Sequence, residues 1–407
     1  MKKQDKLFEL IHEMSMSEKR YFALFSTRHT IGEKNNYAVL FEILEDMQAY
    51  DTDELIRQLE DRSISSRYLA ADKNYLYNLI LRSLSGYYAG KSNNLKVKEL
   101  LHQAEILYEK GVYSQCLKVL DRARKIAERY ELFQLLLEIL HWERKVLEYS
   151  SDSRAVTRSF QQVSGIMEVI NNLYEISNLH YQISDLRQSI TKARSAEALE
   201  PLNRLMEHPF LQDERYALSL TAKIRFWQTH GLYYYCLDDP DKELESLQNL
   251  LSLIRENPDY LEEYPFDYLT IFSRMLTLKR DAPDSDFYPL LNEFRGFPGK
   301  VEKAQQKIGG MTLLESYRIE FARLIDRGRF TEAQGLIPRI IPVLNKYDSY
   351  VSEQQRMYFY YMFAYVLLAN KAFSKALSYI NQILNDFDEE IRPELYTFTR
   401  IMNLLVH

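Results

Sequence analysis

The sequence predicts an all-α protein assembled from successive helix pairs, and three observations predict it. Turn-forming residues are scarce, with 12 glycines and 11 prolines in 407 residues, too few for the many tight turns that a β-sandwich or an α/β fold requires. Apolar residues recur at spacings of three and four, as in Leu100, Ala104 and Leu107 and again in Leu117, Leu120, Ala123, Ile126 and Ala127, which marks amphipathic helices. Helix-start signals occur along the chain: Ser15 to Glu18, Asp51 to Glu54, Thr312 to Glu315 and Ser352 to Gln355 fit the capping-box spacing or its aspartate variant.

From the N-terminus, five helices are expected at Lys3 to Met14, Met16 to Phe25, Tyr37 to Gln48, Asp53 to Glu60 and Ser66 to Tyr88. They make a helical bundle over residues 1–92, serving as a cap or a separate domain. A different pattern begins after it. In Leu100, Ala104, Leu107, Gly111, Tyr113, Cys116, Leu120 and Ala123, large and small residues alternate around a turn, as packing between two antiparallel helices demands. Trp227, His230, Gly231 and Tyr234, followed by the turn Asp238-Asp239-Pro240 and then Glu243, Leu247 and Leu250, repeat it. So do Tyr317, Leu324, Gly328, Phe330, Ala333, Ile337 and Ile340, and Tyr360, Phe363, Ala364, Leu367, Phe373, Ala376, Ile380 and Ile383.

These segments resemble the tetratricopeptide repeat. Anchoring on the small residue of each second helix gives Cys116, Ala155, Ala198, Glu243, Ala333 and Ala376, with a degenerate copy near Tyr288; Glu243 stands where the family has alanine. Assigned neighbours are farther apart than the family's unit of about 34 residues, so longer helices or loops are expected. The resemblance implies a right-handed α-α superhelix over residues 93–392. Residues 393–407, with Pro393 in the first turn, are expected to form a last helix, either a cap or the first half of a truncated repeat.

The family presents side chains of its first helices on a concave face that holds extended peptides. By that register the groove residues here are Lys98, Arg144, Arg187, Arg225, Gln228, Tyr235, Arg318, Tyr358, Tyr361 and Tyr365. Several are arginines, which suit bidentate pairing with carboxylates, so the implied partner is a protein or peptide with an acidic segment. A rival reading rests on seven basic residues, Arg62, Arg67, Lys73, Arg82, Lys91, Lys96 and Lys98, against a single acidic one, Asp72. The fourth and fifth helices would then form a helix-turn-helix-like pair, and Arg67, Lys73, Asn74, Tyr77 and Arg82 would meet nucleic acid in a regulator. The formal net charge of −6 argues against non-specific nucleic-acid binding by the whole chain.

Catalytic signals are weak. Gly86-Tyr87-Tyr88-Ala89-Gly90-Lys91-Ser92 is one residue short of a phosphate-binding loop and follows a helix instead of a strand; a glycine-terminated helix end explains it. The eight histidines form no metal-ligating spacing, and His230 is expected to be a partly buried, hydrogen-bonded histidine. Cys116 and Cys236 read as small buried hydrophobes. The sequence therefore predicts a binding scaffold without catalysis, cofactor or metal. The longest apolar run, Tyr358 to Ala369, is too short to span a bilayer, so a cytoplasmic protein with no membrane partner is expected.

Overall fold

The computed structural model describes residues 5–27, 36–88, 90, 92–149, 153–190, 196–302 and 305–406. Every regular element among them is helical. The main helices are α1 (Lys6–Glu13), α2 (Met16–Thr27), α3 (Asn36–Asp46), α4 (Thr52–Asp61), α5 (Leu69–Tyr88), α6 (Asn93–Glu109), α7 (Tyr113–Arg129), α8 (Phe133–Tyr149), α9 (Ser153–Ile190) and α10 (Ala196–Met206). They continue as α11 (Leu220–Leu237), α12 (Pro240–Glu256), α13 (Pro258–Glu263), α14 (Pro265–Leu278), α15 (Asp284–Gly296), α16 (Gln305–Asp326), α17 (Phe330–Lys346), α18 (Glu353–Ala369), α19 (Phe373–Asp386) and α20 (Pro393–Val406). None of the described helices is long and apolar enough to cross a membrane. The chain packs as two compact units, residues 1–166 and 167–407, and the division falls inside α9.

In the first unit, α1 to α5 enclose a core of Leu7, Ile11, Phe22, Leu44, Leu55, Leu76 and Ile80. The expected caps form: the Ser15 N–H donates to Glu18 Oε2 at 2.6 Å while the Glu18 N–H reaches back to Ser15 Oγ at 3.4 Å, and Asp51 accepts from the N–H groups of Asp53 and Glu54. After the bundle, α6 packs on α7 and α7 on α8. Cys116 shows why a small residue stands there: it is fully buried and its thiol donates to the Ala104 carbonyl oxygen at 3.3 Å, a closeness that a larger side chain would prevent.

In the second unit, α11 pairs with α12, α14 with α15, α16 with α17, and α18 with α19. The expected pair around Trp227 (α11–α12), the copy expected near Tyr288 on α15, and the two C-terminal pairs thus all occur as packed helices. Among the described residues, six helix ends share one turn. Ser63, Gly111, Glu131, Asp238, Gly328 and Lys371 each adopt positive φ between 50° and 70°. The N–H of the following residue then bonds the carbonyl five positions back, as in Arg329 to Leu324 at 2.8 Å and Ala372 to Leu367 at 2.8 Å. This αL turn satisfies carbonyls that the helix end would leave bare.

Two expectations are corrected. A turn is required between a second helix at Ala155 and a first helix at Arg187, yet α9 runs unbroken through 38 residues; no proline interrupts it, and a single glycine, Gly165, is tolerated in a helix. Thr312 to Glu315 is not a helix start, because α16 begins at Gln305 and Thr312 lies buried within it. Glu315 faces Arg318 instead. The Ser352–Gln355 box forms with both reciprocal bonds, and Pro393 opens α20. Residues 3–4 of the first expected helix, Ala89 and Lys91 of the glycine segment, and the side chain of Ala198 lie outside the described residues.

Candidate functional site

Eight of the ten expected groove residues belong to the second unit, where contacts between helices bring several of them together. Three lie on α11, which is fixed by its neighbours: Trp227 Nε1 donates to Glu214 Oε2 at 2.9 Å, and His230 Nε2 bonds the Leu211 carbonyl at 3.0 Å. Arg225, Gln228 and Tyr235 follow at spacings of three and seven, which places them along one stripe of the helix. The Arg225 guanidinium lies over the Tyr181 ring of α9 at 5.7 Å. Arg225 Nε and Gln228 Oε1 are buried with no hydrogen-bond partner among the described residues.

Tyr235 is flanked by two guanidiniums, Arg187 of α9 at 5.9 Å and Arg274 of α14 at 4.9 Å. Arg274 is held in place by Glu243, whose buried carboxylate accepts from Nε at 2.6 Å and Nη2 at 2.8 Å. The glutamate that departs from the repeat's alanine thus positions a cation.

On α14 the next residue back, Ser273, donates to Glu315 of α16. Glu315 also accepts from Arg318 Nε at 2.8 Å and Nη2 at 2.6 Å. Burial alone pushes its carboxyl up, but the Arg318 guanidinium and the Ser273 hydroxyl outweigh this and hold it below the usual carboxylate range. Arg318 shares its cleft with Tyr358 of α18. Ser273, Glu315, Arg318 and Tyr358 line a cleft of about 490 Å³, together with Leu269, Met311, Phe359 and Arg392. Cavities of this size and mixed lining hold side chains or small ligands. Tyr361 is half-buried and Tyr365 is 41% exposed.

Sequence reasoning missed Tyr174, Tyr181, Arg274 and Glu315. The signal for the tyrosines was present: Met167, Tyr174 and Tyr181 recur at seven-residue spacing and are 51%, 60% and 63% exposed. Large apolar groups on an outer helix face at that period ask for a partner. Arg274 and Glu315 had no local signal, because what defines them is a partner on another helix.

The remaining two groove residues lie in the first unit. Lys98 is exposed on α6, and Arg144 on α8 covers the Phe160 ring at 4.6 Å and bonds His141 Nδ1 at 3.2 Å. The rival basic face is dispersed. Arg67, Asn74 and Arg82 are exposed and Tyr77 packs against the N-terminal core, but Lys73 is only 17% exposed. It pairs with Asp5, donates to the Tyr50 hydroxyl at 2.7 Å, and sits over the Tyr50 ring. Arg62 is paired with Glu42.

Among the described residues no group of histidine, cysteine, aspartate and glutamate is arranged to hold a metal ion. Burial pushes the Cys116 and Cys236 thiols up, away from the thiolate form that reactivity requires. Comparison with protein-family models, with curated proteins and with solved structures gave no match.

Proposed function

We propose that the chain is a protein-binding scaffold without catalytic activity. In this reading the helix pairs of its second unit form a tetratricopeptide-like array whose first helices hold an extended, carboxylate-bearing segment of a partner. The single observation that carries the reading is the set of cations and aromatic rings in which Arg225 lies over Tyr181, Arg187 and Arg274 flank Tyr235, and Arg318 and Tyr358 line one cleft. It draws on α9, α11, α14, α16 and α18, so no single helix is responsible for it.

The arginines divide into two roles. Arg274 and Arg318 are already bidentate to Glu243 and Glu315; their guanidiniums are pre-ordered and their charge is balanced by those carboxylates. Arg225 has no carboxylate within ion-pair distance among the described residues and an unsatisfied Nε. It is the cation best able to gain from an incoming carboxylate, since a buried donor left unpaired costs about 1–3 kcal/mol. Exposed tyrosines supply contact area at small entropic cost, and specificity would concentrate in a few such anchors.

The test is a pull-down with the purified chain as bait, run with and without nuclease and with an Arg225→Glu bait beside the parent. The reading expects a defined protein that survives nuclease and is lost from the Arg225→Glu bait. Recovery of nucleic acid, released steeply with salt and unaffected by Arg225→Glu, would overturn it.

A further inference from the structure

The cleft formed by residues of α14, α16 and α18 combines two chemistries. Its floor is apolar: Leu269, Leu314 and Phe359 are buried, with Met311 and Val351 partly buried beside them. Its wall is polar, built from Glu315, Arg318 and Ser273. Thr270 and Gln354 stand exposed at the rim.

Charge narrows the class of group that fits. Arg318 is bidentate to Glu315, and Arg392, the second cation of the lining, is paired with Glu394. Two guanidiniums are matched by two carboxylates, so a charged group entering the cleft would lose its water without finding a free counter-charge. A neutral, largely apolar group is favoured. The volume of about 490 Å³ is that of a pocket for a whole ring-bearing group, and Phe359, Tyr358 and the Met311 sulfur are surfaces on which aromatic rings pack well.

Glu315 adds a second requirement. An ionised carboxylate offers about four acceptor sites. Here Oε1 accepts from Ser273 and from Arg318 Nη2, whereas Oε2 accepts from Arg318 Nε alone. Oε2 therefore keeps an open acceptor site, and the Glu315 side chain is 21% exposed. A donor arriving there would make a charge-assisted hydrogen bond. Tyrosine and tryptophan carry both the ring and the donor; phenylalanine carries only the ring.

We propose that the cleft holds one tyrosine or tryptophan side chain of the partner segment, its ring against Leu314 and Phe359 and its O–H or N–H donating to Glu315 Oε2. The inference rests on the scaffold reading and deepens it: the carboxylate that Arg225 receives and the aromatic anchor are two features of one segment. The probes are N-acetyl-tyrosinamide, N-acetyl-phenylalaninamide and N-acetyl-aspartamide, each titrated against the full chain by ligand-observed NMR.

Saturable binding of the tyrosine amide is expected, tighter than that of the phenylalanine amide by about tenfold or more. Thr270→Trp, at an exposed position of the lining, fills the cleft and should abolish binding of both, with the fold retained by circular dichroism. Glu315→Gln should remove the preference for tyrosine. No saturable binding, equal binding of the tyrosine and phenylalanine amides, tighter binding of the aspartate amide, or full binding by the Thr270→Trp chain would each overturn the proposal. So would a partner captured equally by the parent and Thr270→Trp baits, because the occupant would then be a free small molecule. The scaffold reading fails separately, through the Arg225→Glu pull-down, which leaves the amide titrations untouched.

Discussion

Glu243 and His180 show how single buried groups set the face. Glu243 is 4% exposed and its carboxylate accepts two hydrogen bonds from Arg274. Removing it strands a guanidinium that is about one-third exposed, so Glu243→Ala should lower unfolding stability by about 1–3 kcal/mol in denaturant titrations, with Glu243→Gln milder. His180 lies behind Arg225. The Thr229 hydroxyl donates to the Arg225 carbonyl at 2.7 Å, so it accepts from His180 Nδ1 at 3.2 Å, which makes His180 the neutral Nδ1–H tautomer. Burial first, and the Arg225 charge second, depress its pKa from 6.5 to about 4. The unfolded chain therefore binds this proton before the folded one does: the contribution to stability is complete above about pH 6.5 and declines as pH falls towards 4. The loss should reach about 2 kcal/mol after allowance for solvent screening. His180→Asn keeps a donor for Thr229 and should flatten the stability profile over that window; an unchanged slope would contradict the assignment.

At the scale of elements, the αL turn recurs because a helix that doubles back must satisfy its last carbonyls quickly. Gly111 and Gly328 meet the positive φ without cost, whereas Lys371 at φ 59° and Asp238 at 59° hold it with a Cβ present. Lys371→Gly should raise stability by about 0.5–1 kcal/mol and Gly328→Ala should lower it by about 1 kcal/mol, both read from thermal melts. This also explains which turns were legible in the sequence. Gly111 and Gly328 mark theirs, and Asp238 precedes a proline that opens α12, but Glu131 and Lys371 carry no glycine signal. The helix ends at Ser15, Asp51 and Ser352 were readable because the capping side chain and its backbone target are three residues apart. Thr312 has the same spacing and fails because its neighbours continue the helix on both sides, something a four-residue window does not contain.

For the whole molecule, helix content and pair order follow from periodicity, so most pairs stand where the pattern of small and large residues puts them. The unbroken α9 does not, because the repeat register demands a turn there and the chain supplies no residue that enforces one. The candidate face was half legible. Arg225, Tyr235, Arg318 and Tyr358 follow from register alone, while Glu243 and Glu315, which fix the orientation of their arginines, are long-range partners that spacing does not reveal. Lys73 shows the converse, a basic residue of the rival face already engaged by Asp5 across 68 positions of sequence.

The most direct test of the central claim is calorimetric titration of the recovered partner segment into the parent chain, Arg225→Glu and Arg67→Glu, at two salt concentrations. The account predicts affinity reduced at least tenfold by Arg225→Glu, unchanged by Arg67→Glu, and moderately weakened by salt. Full affinity in Arg225→Glu together with loss in Arg67→Glu would contradict it and move binding to the N-terminal helices.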